Sequence, residues 1–499
     1  MSRLLENKKY FLKTLKIAKL LFSEKKYNDC LMYIEKISYS AWYNFPGYYT
    51  SNCFESIIRK IAITSLDFDH QENHTHTQDT TLHLFSEISS IGGHSKLIFS
   101  WMENDKTSKH YLMSNWQNFQ EVSEIAESYQ YKINNNLFVY DQKLSIIEKA
   151  QKIVDTLKKN HFSRIVLHIH PHDVIPSMIF SSKKIKSPVF FLNHAEHTYW
   201  LGAPVTDFLL QIRESNILKD SKNRNIPVQD QFFLPIPVDE SYSLKKTEKN
   251  TFNIISISRE SKYEPNQDYN FYQEALKIVR KFDHVVFTIV GIASNNPNRK
   301  IYQHERLIFI HPTRDINQYI ENADLYLEGF PIPSFTSLLE PAMAGVPFVL
   351  HYNPASVYKV FDDNKEKGIF YPKDLKSWEL EVDRMITDER YNNLISKLQL
   401  TYLQENYSSQ GWNLKLAKIK DSCKNKQHNI RTISNEEKYV DGRDEELVSV
   451  IESKPTNHYS YTNRLGFFSK LKVIALSFDN PSWVEILPWK QTIKYLFNK

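Results

Sequence analysis

Apolar residues recur at helical spacing near the start of the chain. Leu12, Leu15, Ala18, Leu21 and Phe22 share one face, and Cys30, Leu31, Ile34 and Ile37 continue the period after the polar break SEKKYND. The spacing predicts a helical hairpin over 1–67. The next stretch, FDHQENHTHTQDT, is polar and predicts a linker, with His70, His74 and His76 read as solvated rather than as metal ligands.

From about residue 80 the pattern changes. Short apolar runs alternate with amphipathic segments: TLHLFSEI (81–88), RIVLHIHP (164–171), PVFFLNH (188–194) and VTDFLLQI (205–212) predict strands, and SIIEKAQKIVDTLKKN (145–160) predicts a helix. After a linker over 232–250 the alternation restarts. FNIISIS (252–258), HVVFTIVG (284–291), DLYLEG (324–329) and VPFVL (346–350) predict strands, with a helix over 270–282 and another in the stretch FPIPSFTSLLEPAMAGVPFV. Continuous apolar strands separated by helices predict parallel sheets covered on both faces. The expected fold class is α/β, with two Rossmann-like domains over 80–240 and 251–425 facing a cleft. Ligands of such sheets bind at the carboxyl ends of the strands.

The end of the chain departs from this alternation. Over 440–499 a charged linker leads to LGFFSKLKVIALSF, where Phe467, Phe468, Leu471, Ile474, Ala475 and Phe478 share a helical face. PSWVEILPWKQTIKYLFNK then adds Trp483, Trp489, Tyr495 and Phe497 among lysines. Such a tail suits an anionic membrane surface or a protein partner. Asp479 and Glu485 interrupt its basic character and favour docking onto the chain's own domains.

Composition narrows the function only modestly. The 499 residues exceed one compact core, and a net charge of +5 does not call for nucleic acid. Cys30, Cys53 and Cys423 are few and scattered, which predicts reduced thiols rather than a disulfide framework or a zinc site. No signal peptide and no transmembrane span are expected, since no apolar window approaches about 18 residues. The expected location is cytoplasmic, with peripheral attachment to the inner face of a membrane left open.

Candidate chemistry gathers at strand ends. Ser334, Thr336 and Ser337 stand at a helix start, where free N–H groups and the helix dipole favour a phosphate. Glu340 lies one turn on, placed to accept two hydrogen bonds from a ribose diol. Arg259 and Lys262 follow a strand and suit a diphosphate clamp. In the first half, SSIGGHSK carries Gly92 and Gly93, which permit close backbone approach to a ligand, followed by His94. HIHPHD and NHAEHTYWLG place His172, Asp173, His194, Glu196 and His197 at or beyond strand ends, as candidate bases or sugar contacts, with Tyr199 and Trp200 as stacking surfaces. No metal-ligand set with the usual spacing is present, so no metal is expected.

LHLFSEISSIGGHSK, NHAEHTYWLGAPVTDFLL, SRESKY and DLYLEGFPIPSFTSLLEPAMAGVP, in that order over about 80–350, resemble the two-Rossmann-domain glycosyltransferases called GT-B. More narrowly the chain resembles bacterial surface-polysaccharide enzymes near glycosyltransferase family four. The resemblance implies transfer of a sugar from a nucleotide-diphosphate sugar, as co-substrate, to a hydroxyl acceptor on a glycan, lipid-linked carrier or protein. It implies no further cofactor. Arg259, Lys262, Ser334, Thr336 and Ser337 would hold the donor diphosphate and Glu340 the ribose. The Gly92-Gly93 loop would face the donor, and the base would be Glu196, His94, His172 or His197. One departure is plain: retaining members of the family carry glutamates eight positions apart, and Ile332 stands eight before Glu340. A GT-B-like subunit without activity, recruiting a partner enzyme, is the alternative that this departure favours.

Overall fold

The alternation after residue 80 folds into two parallel sheets. The structure is a computed structural model, and it describes residues 3–69, 78–90, 93–238, 250–313, 315–354, 359–434, 436, 437, 439, 459–477, 481, 484 and 488–497. The chain forms two compact units, Met1–Phe233 with Ser422–Lys499, and Leu234–Asp421.

The first unit contains β1 (Thr80–Phe85), β2 (Lys109–Ser114), β3 (Leu137–Phe138), β4 (Arg164–His168), β5 (Val189–Asn193), β6 (Phe208–Gln211) and β7 (Gln231–Phe233). They pair in the order β3-β2-β1-β4-β5-β6-β7. Leu82 of β1 lies opposite Tyr111 on one side and Ile165 on the other. Strands β1, β4, β5 and β6 are buried along their whole length, which is why apolar residues dominate them, with His83 and His168 as buried polar exceptions in β1 and β4. The sequence pattern missed β2, β3 and β7. Strand β2 exposes Lys109, β3 has two residues, and β7 has three at the sheet edge.

Helices of this unit are α1 (Arg3–Ser23), α2 (Tyr27–Tyr43), α3 (Asn52–Ser65), α4 (Gly93–Asn104), α5 (Phe119–Ser128), α6 (Ile146–Lys159), α7 (Val174–Ile179) and α8 (Asn216–Arg224). The expected hairpin over 1–67 is a three-helix layer, since α3 follows. Its start is fixed by Ser51, whose side chain accepts from the Phe54 amide. Leu15, Ala18 and Leu21 are buried as the spacing required, whereas Leu12 is exposed. Cys30, Leu31, Ile34 and Ile37 join the same core as Leu82, Ile165 and Phe191 of the sheet. The linker histidines His70, His74 and His76 lie outside the described residues.

The second unit contains β8 (Phe252–Ile257), β9 (Val285–Val290), β10 (Leu307–Ile310), β11 (Leu325–Leu327) and β12 (Phe348–Val349), ordered β10-β9-β8-β11-β12. Its helices are α9 (Phe271–Lys281), α10 (Asn298–Ile301), α11 (Asn317–Ile320), α12 (Phe335–Met343), α13 (Leu375–Thr387), α14 (Glu389–Tyr407) and α15 (Ser409–Ser422). Strand β10, an edge strand with an exposed Ile308, was not legible as a strand. Pro341 does not break α12, which ends two residues later at Met343. A proline lacks only its own amide, so one hydrogen bond near the end of the helix is lost.

The tail returns to the first unit as α16 (Tyr459–Thr462), α17 (Phe467–Ser477) and α18 (Trp489–Phe497). Tyr459, Leu465, Val473, Val484 and Tyr495 enter the core shared with α1, α2 and the first sheet. The segments expected as appendages therefore pack as part of one unit. Phe478, Asp479, Trp483 and Glu485 lie outside the described residues.

In each sheet the chain starts centrally, winds to one edge, then crosses back. The order reverses between β1 and β4 in one unit and between β8 and β11 in the other. Loops leaving the carboxyl ends of those strands diverge and leave a crevice for a ligand.

Candidate functional site

In the second unit two loops frame the β8/β11 switch point. Strand β8 runs into Ser258 and Arg259, then a single 3-10 turn over Glu260–Lys262. Glu260 holds that turn down, accepting from the Ala293 amide at 2.9 Å and the Asn296 side chain at 3.1 Å. The other loop runs from Glu328 to Ser334, which caps α12. The loops are joined twice. The Ile332 amide donates to the Lys262 carbonyl at 3.2 Å, and Lys262 Nζ donates to the Pro333 carbonyl at 3.0 Å.

Two glycines make this close packing feasible. A Cβ on Gly291, at φ +105°, would lie 1.8 Å from the Ser258 carbonyl oxygen. A Cβ on Gly329 would lie 2.2 Å from the ring of Tyr263. Both would displace the loops that carry the cations.

The electrostatics fit an anion. Arg259 is exposed and Lys262 is half-buried. Burial, then the neighbouring Arg259, pushes the Lys262 ammonium down to about 8, against the opposing pull of Glu328. Ser334 and Ser337 lie half-buried with hydroxyls 3.1 Å apart, and Thr336 is half-buried beside them at the start of α12. Glu340 is half-buried one turn further on and acts electrostatically on the Tyr326 hydroxyl.

Glu328, twelve residues before Glu340, joins the candidates only in the structure. It is 1% exposed at the end of β11, and burial pushes its carboxyl up to about 8. Its Oε2 accepts from the His351 amide at 2.7 Å. Its Oε1 is buried with no hydrogen-bond partner among the described residues, as is Ser258 Oγ. An acidic residue ending a buried strand was the available signal.

The first unit presents different chemistry at its β1/β4 switch point. Asp173 caps α7 and ties the crossing together. Its Oδ2 accepts from Ser86 Oγ at 2.6 Å and Asn115 Nδ2 at 2.8 Å, and its Oδ1 from the Ile175 amide. His94 lies in the first turn of α4, with ring centroids 4.6 Å from His194 and 6.0 Å from His170. His170 continues to His172 at 5.6 Å. Trp116 stacks on His170 at 5.3 Å and 6°, and Tyr39 meets His172 edge-on at 5.0 Å. Trp42, from α2, lies 6.2 Å from His172.

Three of these imidazoles, His94, His172 and His194, are held neutral. Burial drives His94 well below the ordinary range, and pushes His172 down to about 3 and His194 to about 4. Below them runs a hydrogen-bonded row across three strands. His110 Nε2 is 2.7 Å from the Asp105 carbonyl, His110 Nδ1 is 3.0 Å from His83 Nε2, and His83 Nδ1 is 3.0 Å from His168 Nε2. A carbonyl only accepts, so each neutral ring must donate toward it in turn. That order leaves His168 Nδ1 a bare acceptor, and it is buried without a hydrogen-bond partner among the described residues. His94 hydrogen-bonds the His168 main chain, and its Nε2 is likewise buried with no partner among the described residues.

The candidates expected near these histidines divide. His94 and His172 belong to the ring array. Glu196 does not: it is 6% exposed and ion-paired to Arg213, with Asn216 donating to its other oxygen. His197 is half-buried nearby, pushed down to about 4 by burial and then by Lys219, Arg213 and Arg224. Tyr199 and Trp200, expected as stacking surfaces, are fully buried, with Trp200 stacked on Phe191 at 4.3 Å and Arg224 over its other side at 4.2 Å. They are core residues, and Trp42, Trp116 and Tyr39 are the half-buried aromatics at this strand end. Gly92 lies outside the described residues, and Gly93 opens α4. Among the described residues no group of three His, Cys, Asp or Glu side chains is arranged to hold a metal ion.

Solved structures share this architecture. A glycosyltransferase from Rickettsia africae ESF-5 is similar with a TM-score of 0.52 and 13% identity, covering 70% of this chain and 100% of that one. Anabaena HepE in complex with UDP is similar with a TM-score of 0.53 and 12% identity, covering 69% of this chain and 100% of that one. The fold is that of the GT-B class, two Rossmann-like units. At such identities the likeness speaks for the fold alone. No protein-family model and no curated protein matches the chain in sequence.

Proposed function

We propose that the protein is a glycosyltransferase that moves a sugar from a nucleotide-diphosphate sugar to a hydroxyl acceptor. The observation that carries this reading is the second unit's switch point, where Arg259 and the loop-locked Lys262 accompany the hydroxyl-rich start of α12. Two cations and a helix end neutralise the charge that builds on a departing diphosphate, so the reading requires no divalent metal. In it, Ser334, Thr336 and Ser337 hold phosphate oxygens and Glu340 the ribose.

The acceptor hydroxyl is assigned to the first unit. A base must be neutral and own a free lone pair, and His94 Nε2 meets both conditions. His172 is the second candidate. Glu196 is the least suited, because Arg213 and Asn216 occupy its oxygens, and His197 lacks the ring array's companions. The motif resemblance supports a place in surface-glycan or glycoconjugate assembly, near family four.

Calorimetry with UDP, GDP, ADP and dTDP, followed by product analysis with the matching sugar nucleotides, tests the reading. Binding of one diphosphate and transfer of its sugar is the expected result. Absence of binding to any of them would favour the alternative, a GT-B-like subunit that stabilises or recruits an active partner.

A further inference from the structure

The tail helices turn their phenylalanines and tryptophan outward, while Val473, Ile474 and Leu476 pack against the core. Within α17 the buried residues are Lys470, Val473 and Ser477, and within α18 only Tyr495 is buried. Tyr495 fixes the pair to the unit, donating from its hydroxyl to Thr462 Oγ1 at 2.8 Å and meeting Tyr459 edge-on at 5.3 Å. Lys470 Nζ lies 5.4 Å over the Tyr495 ring. By contrast Phe468 is 78% exposed, Trp489 77% and Phe497 71%, and Phe467, Leu471 and Ile493 are exposed beside them. Trp489, Ile493 and Phe497 form one ridge at i, i+4, i+8, and Phe467 meets Phe497 with ring centroids 5.6 Å apart. The two helices thus present one continuous apolar ridge.

The charge within the two helices has a single sign, and the acid beside them is Glu24, which accepts from the Gly466 amide at the start of α17. Every ionisable acid or base in α17 and α18 apart from tyrosine is a lysine: Lys470, Lys472, Lys490 and Lys494. Lys472, Lys490 and Lys494 are exposed, flanking the ridge. The helices have 11 and 9 residues, and no described helix is long and apolar enough to cross a membrane. Large aromatics between exposed lysines, on helices too short to span, suit the plane between lipid headgroups and acyl chains.

We infer that the α17–α18 ridge docks on an anionic lipid bilayer, with Phe468, Trp489 and Phe497 entering the acyl boundary and Lys472, Lys490 and Lys494 meeting the headgroups. The inference is independent of the transferase reading. Docking would hold the chain at a surface where membrane-bound acceptors are found.

Flotation of the full chain with vesicles tests it. Binding to vesicles of phosphatidylcholine containing phosphatidylglycerol, and little to phosphatidylcholine alone, is expected. The surface variant F468S/W489S/F497S should weaken that binding by about tenfold or more with an unchanged melting temperature. K472Q/K490Q/K494Q should remove the preference for the anionic vesicles. Equal binding by the native chain and the aromatic variant would overturn the inference. So would an absence of vesicle binding with concentration-dependent self-association that the aromatic variant abolishes, since the occupant would then be a second copy.

Discussion

The two switch points occupy equivalent places in similar sheets yet carry opposite chemistry. The β8/β11 end offers permanent or near-permanent cations, Arg259 and Lys262, beside a helix start. The β1/β4 end offers the neutral imidazoles of His94 and His172, with His170 between them and the half-buried aromatics Trp42 and Trp116. One suits a group that arrives charged. The other suits a polyhydroxyl ligand and a proton that leaves it. The same topology therefore supplies the crevice, and only the loop residues decide what enters it.

Removing the charge at one end should have the largest effect. R259A/K262A is expected to lower sugar-transfer turnover by about 10³-fold or more, the scale of lost transition-state charge stabilisation, with an unaltered circular dichroism spectrum. Full activity in that variant would dissolve the contrast between the two ends.

Next come the carboxylate and the base of the first unit. E196Q leaves the buried Arg213 without its charged partner and should destabilise the protein by about 3 kcal/mol in urea melts. H94Q should instead leave stability nearly unchanged and lower kcat by about 10²-fold or more. If E196Q lowered kcat as much as H94Q without loss of stability, the division drawn between them would be wrong.

A smaller effect is expected from G291A, whose Cβ would meet the Ser258 carbonyl. Displacing the Arg259 loop should weaken nucleoside diphosphate binding by about tenfold, the scale of one strained backbone position, as calorimetry would read it.

The pH dependence of binding follows from Lys262. Its folded-state value is lowered to about 8, so the free protein holds the ammonium below that pH and loses it above. Diphosphate affinity should be flat below pH 8 and fall as pH rises through it. Glu328 acts on stability instead: raised to about 8, it contributes stability that is present below its unfolded range near 4.5 and lost as pH rises through 8. E328Q, which mimics the neutral carboxyl, should flatten that decline in melts taken between pH 5 and 8.

The mildest change should come from W116A. It removes the ring stacked on His170 and should raise acceptor KM severalfold, about 1 kcal/mol of stacking, while donor affinity stays the same.

The sequence by itself determined the α/β class, the two sheets and the strand ends where chemistry collects. Buried parallel strands must be apolar throughout, so β1, β4, β5 and β8 announce themselves, and the polar residues that follow them fall at the carboxyl ends. Arg259, Lys262 and the start of α12 were legible for that reason. The edge strands β3, β7 and β10 and the half-exposed β2 were not, because a half-exposed or very short strand has no distinctive periodicity. Side-chain direction was also out of reach. Only tertiary packing could turn Trp200 into the core, pair Glu196 with Arg213, and bring Trp42 from α2 to the histidines. It alone could leave one oxygen of Glu328 buried and unpartnered. The tail shows the same limit most clearly. Helical spacing identified an apolar face on α17, but which face meets the protein depended on where Val473 and Tyr495 found room against the first unit. Hydrophobic pattern states which residues share a side, and the neighbouring elements decide which side is buried.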